Sequence, residues 1–229
     1  MTYKVIFGVF VYLFTQIEET GVLTVLQQKF IAGGFFMWPI LFCLVIGLGF
    51  CFERFWTLSR ANINAKRFII EVKAALESGG VDKAIMVCQN TRGSIASVFH
   101  AGLLRANEGI DAAEKAIMAY GSIEMSFLER GLIWITTFIS LAPLLGFTGT
   151  VQGMIEAFDA IAEAAQISPS IVATGISVAL LTTLFGLVVA MILQVFYNYF
   201  ISRIDKIVVD MEESSIELID ALYTINKKP

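Results

Sequence analysis

The residues whose types and spacing invite chemistry are hydroxyls set in apolar surroundings. The stretch 140–153 reads SLAPLLGFTGTVQG and carries Ser140, Thr148, Thr150, Pro143, Gly146, Gly149 and Gly153. No charged residue falls between Arg130 and Glu156. A segment that only anchors a protein in a bilayer can be aliphatic throughout. Glycines let a second helix backbone come close. Hydroxyls both donate and accept hydrogen bonds without carrying charge. This combination fits a wall of a polar path better than an anchor.

The spacing sorts these residues onto faces. Ala142, Gly146, Gly149 and Gly153 follow steps of 4, 3 and 4, which is one small-residue face of a helix. Thr136, Ser140, Pro143, Phe147 and Thr150 make a second stripe, and this one bears hydroxyls. Further on, Gly175, Ala179, Thr182, Gly186 and Ala190 form another small face. Ile176, Thr183, Leu187 and Gln194 share a stripe, with Thr183 and Gln194 almost three helical turns apart. Two threonine-bearing stripes on neighbouring apolar helices raise the prospect of a water-accessible seam. The bland alternative is a hydroxyl bonded to the carbonyl one turn back.

The elements that must position these residues are apolar helices. The chain has 229 residues, 57% of them hydrophobic and 16% charged, with a mean hydropathy of +0.76. A soluble domain carries about 25% charged residues, so this is an integral membrane protein. Phe35–Phe52 is the first clear span, with Pro39 near its start, where a missing N–H costs little. Segments 131–155 and 171–200 are the second and third. No Asp, Glu, Lys, Arg or His lies inside any of the three. A titratable group at membrane depth is the usual mark of an ion or proton site. If protons cross here, a partner supplies the ionisable group or water carries them past the threonines.

The rest divides as follows. Residues 1–34 are an N-terminal membrane-associated segment. Within it 3–15 is an apolar run short for a span, read as retained on the membrane rather than as a signal peptide. Residues 17–31 form an amphipathic helix that Gly33-Gly34 ends. Residues 35–56 hold the first span, and 57–130 a polar helical region. Helices there are expected at 64–78, 82–90, 94–106 and 111–130, with Asp82 and Asp111 as N-caps. No breaker is evident after 130, so the last should run straight into the second span, 131–155. A loop follows at 156–170, then the third span at 171–202 and a C-terminal helix at 203–229. In that helix Ile204, Val208, Met211, Ser215, Leu218 and Leu222 repeat at alternating steps of 4 and 3, a packing seam beside an acidic face.

Residues 53–130 hold ten Lys or Arg, 203–228 hold four, and 156–170 none. By the positive-inside rule the polar region and the C-terminus are cytoplasmic, and the N-terminus and the 156–170 loop face outward. Glu53-Arg54 and Glu129-Arg130 flank spans as interfacial ion pairs or, alternatively, gating contacts. Glu156 is either a cation entrance or a solvated loop carboxylate. The net charge of −4, without a run of more than two basic residues, gives no nucleic-acid signal. Cys43, Cys51, Cys88 and the single His100 show no metal-ligand spacing. No nucleotide-binding, metalloprotease or triad motif is present, so no enzyme and no cofactor is expected.

Residues 142–154 (APLLGFTGTVQGM) and 175–187 (GISVALLTTLFGL), with a cytoplasmic helical region between the first and second of three spans, resemble the MotA/TolQ/ExbB proton channel family. MotA proteins have four spans, so ExbB or TolQ is the nearer pattern. The segments KFIAGGFFMWP and QNTRG look like the ExbB-type proteins of Bacteroidetes. The resemblance covers about residues 22–225. It implies an all-α membrane protein whose second and third membrane helices extend into a cytoplasmic helical bundle. It also implies a homo-oligomeric ring of five with a lumen lined by those two helices. In that lumen sits an ExbD-like single-span partner whose aspartate carries the proton, and a TonB-like protein receives the motion. Thr150 matches the family's G-x-x-G-T-V threonine, Thr183 that of A-L-L-x-T, and Pro143 the proline before the glycines. The resemblance thus puts Thr150, Thr183, Ser140, Phe147 and Gln194 along the proton path. Pro143, Ala142, Gly146, Gly149, Gly153, Gly175 and Gly186 fall at helix packing. Two departures bear on lumen hydration: Val178 stands where ExbB proteins often have glutamate, and Glu156 replaces a common neutral residue. The implied role is a stator subunit of an inner-membrane motor powered by the proton motive force. Alternatives are a TolQ-like envelope-maintenance or gliding motor, or a non-conducting scaffold.

Overall fold

A computed structural model describes residues 21–61, 64–163 and 169–226. Seven α-helices and one 3₁₀ turn account for them: α1 (Val22–Ala32), α2 (Met37–Ala61), α3 (Ala65–Asn90), α4 (Ser94–Leu104), the 3₁₀ turn Ala106–Glu108, α5 (Ile110–Glu129), α6 (Leu132–Glu163) and α7 (Pro169–Asn226). There is no strand among the described residues. The apolar run 3–15 and the start of the amphipathic segment lie outside them. Three helical stretches are long and apolar enough to cross a membrane, with mean hydropathy over 18 residues of 1.7, 1.7 and 2.6 in chain order.

Packing divides the chain into two compact units. The first takes in the described residues up to Gly47 together with Thr137–Leu193. The second comprises Leu48–Thr136 and the residues from Gln194 onward. In the second unit α3, α4, α5 and the distal part of α7 enclose a core of Phe68, Val72, Leu76, Val98, Phe99, Leu103 and Leu218. The seam on α7 is the reason: Ile204, Met211, Ser215, Leu218 and Leu222 are buried, and Asp205, Glu212, Glu213, Glu217 and Asp220 are exposed. Burying aliphatic and aromatic surface while charges stay in water is the ordinary driving force.

α3 joins two expected helices across a kink. Gly79 and Gly80 leave helical geometry there, Gly80 with φ +69°, a region where only glycine is at ease. Asn64 caps this helix, its side chain accepting from the Arg67 amide at 3.2 Å, a cap not among those expected. Asp82 and Asp111 are not caps. Asp82 already has helical geometry two residues past the Gly80 kink, and Asp111 sits in the first turn of α5, whose N-cap is Gly109.

Two further expectations are corrected. α5 does not run unbroken into the second span. It stops at Glu129, Arg130 turns extended, and Gly131 takes φ +97° before α6 starts. Gly131 is the breaker: its φ is strained for any other residue. Its missing side chain also leaves room for the Arg54 guanidinium, 3.1 Å from where a Cβ would lie. Arg54 is buried, paired with Glu53 at 2.8 Å and reaching the Leu128 carbonyl at 3.4 Å. The second correction concerns 156–170. α6 remains helical to Glu163, because EAFDAIAE offers good helix formers and no breaker. The end of that expected loop, 164–168, lies outside the described residues. Pro169 then opens α7 at the position where proline fits a helix best.

Candidate functional site

The first unit packs α6 on α7 through their smallest residues. A Cβ on Gly186 would lie 2.6 Å from the Ala142 carbonyl oxygen, and one on Gly146 2.9 Å from that of Thr182. One on Gly153 would lie 3.2 Å from the Ala179 amide nitrogen, and one on Gly175 2.4 Å from Ala157 Cβ. Gly149 sits beneath Thr182 at 2.8 Å. Ala142 and Ala179 are buried. Nothing larger than a hydrogen fits at these glycines, so the two backbones meet. Pro143 lies inside α6 and is half-buried.

Close approach brings polar atoms of the two helices together. Thr150 Oγ1 is hydrogen-bonded to Thr183 Oγ1. It also lies 3.2 Å from the Gly146 carbonyl oxygen and 3.1 Å from that of Ala179. Thr183 Oγ1 lies 3.3 Å from the same Gly146 oxygen. Thr182, fully buried, donates to Ala179 at 2.8 Å. Two hydroxyls predicted from separate stripes therefore meet, joined by a third from the small face, whose part the spacing did not signal.

The other candidates are not drawn into this cluster. Ser140 and Phe147 are exposed on α6. Gln194 is exposed and donates to Asn198 at 2.9 Å. Glu156 stands on the helix, accepting from Gln152 at 3.0 Å. Thr136 and Thr148 bond the carbonyls of Leu132 and Leu144, four residues back, the bland role open to any helical threonine. Val178 is half-buried, 3.8 Å from where a Cβ on Gly34 would lie.

In the second unit His100 shares a 3.1 Å hydrogen bond with Gln89. Burial pushes the Cys88 thiol up to about 12, which makes it a poor nucleophile. Cys43 and Cys51 are buried as well. Arg130 lies over the Phe127 ring, 5.9 Å from its centroid. No cluster of His, Cys, Asp or Glu suited to a metal occurs among the described residues.

The hydroxyl cluster holds no group that titrates, so it does no acid–base chemistry alone. It can accept a proton's hydrogen bond from one side and donate on the other.

Known proteins are similar to this chain. The MotA/TolQ/ExbB proton channel family matches residues 90–213, a stretch that includes α6 and both threonines. An ExbB homolog for biopolymer transport in Methanothermobacter thermautotrophicus is 32% identical over 197 residues, 86% of this chain and 68% of its own. The biopolymer transport protein ExbB of Salmonella typhimurium is 35% identical over 103 residues, 43% of this chain and 41% of its own. The Tol-Pal system protein TolQ of Haemophilus influenzae is 36% identical over 102 residues, 44% and 43% of the two chains. On this match over more than half of its length, the chain belongs to the MotA/TolQ/ExbB proton channel family.

Proposed function

We propose that this chain is the stator subunit of an inner-membrane motor that uses the proton motive force to energise TonB-dependent transport across an outer membrane. In this reading five copies surround a single-span ExbD-like partner whose aspartate carries the proton. The polar helical unit and the C-terminus are cytoplasmic, and the N-terminus is periplasmic. The observation that carries it is the Thr150–Thr183 pair, set between helices whose spans contain no Asp, Glu, Lys, Arg or His. A path with hydroxyls and no carboxylate calls for a titrating group from outside the chain. Ser140, Phe147 and Gln194, all exposed in the single chain, would complete the lumen wall, with Glu156 at its entrance.

Removing both hydroxyls tests this. Thr150→Val with Thr183→Val, co-expressed with the partner, should abolish transport driven by the proton motive force while the complex still assembles. Unaltered transport in that double variant would refute the role of the pair. The similarity to TolQ favours one second reading, an envelope-maintenance motor with the same chemistry and a different load. Proton flux in vesicles separates both from a scaffold. Flux should vanish when the partner's membrane aspartate is replaced, whereas a scaffold shows none at any time.

A further inference from the structure

Three hydroxyls meet between α6 and α7, and counting their protons gives the third a task. A carbonyl oxygen has two lone pairs, and inside an α-helix one serves the amide four residues on. Ala179 and Gly146 each lie within α-helix, so each has one lone pair left for a hydroxyl. Thr150 and Thr182 both reach Ala179, at 3.1 and 2.8 Å, and Thr150 and Thr183 both reach Gly146, at 3.2 and 3.3 Å. Three hydroxyl protons therefore face two open carbonyl positions.

Thr182 takes the first of them. It has the shorter bond, and its side chain is fully buried against the position of the missing Gly149 Cβ. One position then remains, on Gly146, for the protons of Thr150 and Thr183. Whichever hydroxyl fills it, the other must donate to its fellow threonine. From this we infer that Thr182 is a positioning residue that obliges Thr150 and Thr183 to bond each other. The pair becomes one relay with two proton arrangements. Without the Thr182 hydroxyl each threonine has a carbonyl of its own, Ala179 for Thr150 and Gly146 for Thr183, and the link is no longer required.

That the relay serves proton flow rests on the function proposed above; the link itself does not. The link is read first from the Thr150 Oγ1–Thr183 Oγ1 separation in experimentally determined structures of the full-length chain with its co-purified partner, for the original sequence, Thr182→Val and Thr182→Ser. The two oxygens should stay within hydrogen-bond distance in the original chain and in Thr182→Ser, and should part beyond about 3.5 Å in Thr182→Val, each hydroxyl turned to its own carbonyl. A space-filling role over Gly149 requires the reverse, with Val keeping the link and Ser losing it. Thr150 and Thr183 still bonded to each other in Thr182→Val overturns the inference.

Proton flux in vesicles is the second arm. Thr182→Val should lower it about five- to tenfold, and Thr182→Ser should leave it near its original value. A link that depends on Thr182 with flux untouched by all three threonines would sink the functional reading and leave the positioning intact. Flux that falls in Thr182→Val with the link unbroken would overturn the positioning and leave the functional reading standing.

Discussion

The two units of this chain are each held together by a different kind of contact. The unit built on α3, α4, α5 and distal α7 hides Phe68, Val72, Phe99, Leu103 and Leu218 and leaves its charges outside, Arg54 on α2 excepted. The unit that holds α6 and proximal α7 buries Ile40 and Leu193 too, but α6 meets α7 through Ala142, Ala179, Thr182 and glycines on backbone, while Leu144, Phe147, Leu180, Leu184 and Met191 point outward. One chain follows two packing rules because it meets two solvents. In water, apolar area removed from solvent is the driving force. Beside lipid tails a leucine gains nothing by turning inward, so helices associate through close contact and hydrogen bonds. The outward leucines of the second kind of unit are satisfied by the bilayer. The inward hydroxyls that remain are therefore available for function.

The sharpest break of this comparison is to truncate one large residue in each unit. Phe99 is completely buried, and Phe99→Ala should cost about 3–5 kcal/mol through lost burial and the cavity left behind. Leu180 is 65% exposed, and Leu180→Ala should change stability by less than about 0.5 kcal/mol. Equilibrium unfolding of the two variants in the same detergent checks the pair. Comparable losses would show that both units obey one rule.

Next in size is the same substitution made on a helix of each unit. Gly186→Ala puts a methyl 2.6 Å from a backbone oxygen of α6, and the helices must part, at a cost of about 1–3 kcal/mol. Gly121, on α5, has only Met211 Cε at 3.7 Å from the equivalent position. There Gly121→Ala should stabilise by about 0.5–1 kcal/mol through helix propensity alone. The signs are opposite, so a shift of either unfolding midpoint in the wrong direction breaks the contrast.

How far the sequence foretold this differs between the units for the same reason. The α7 seam was legible because an aliphatic repeat beside acids has one reading in water. The small-residue faces of α6 and α7 were legible as faces, but spacing alone does not say which backbone each glycine meets. Thr182 fell on a small face and its hydroxyl went unweighed, since the pattern records size and not which carbonyl a proton reaches. The α5–α6 junction was misjudged because Gly131 stands alone in an apolar context. It breaks the helix by taking φ +97°, with the Arg54 guanidinium, 77 positions earlier in the chain, in the room beside it, and no local pattern contains that. The acids of 156–163 suggest a loop, yet acids interleaved with alanine make good helix.

The smallest effect concerns polar links, and it sharpens the comparison from the other side. Lys73 and Glu217 pair across α3 and α7 at 2.5 Å, with side chains 37% and 53% exposed. In water such a pair gains little, because solvent screens the attraction and two long side chains must be held still. Lys73→Ala should therefore shift stability by no more than about 0.5 kcal/mol, and raising the salt concentration should shrink even that. The Thr150–Thr183 link carries no charge, so added salt should leave the cost of Thr183→Val unchanged. Unfolding of Lys73→Ala and Thr183→Val at low and high salt distinguishes the two environments. A salt-sensitive cost for Thr183→Val, or a large salt-resistant cost for Lys73→Ala, would mean that the division between the units is not one of solvent.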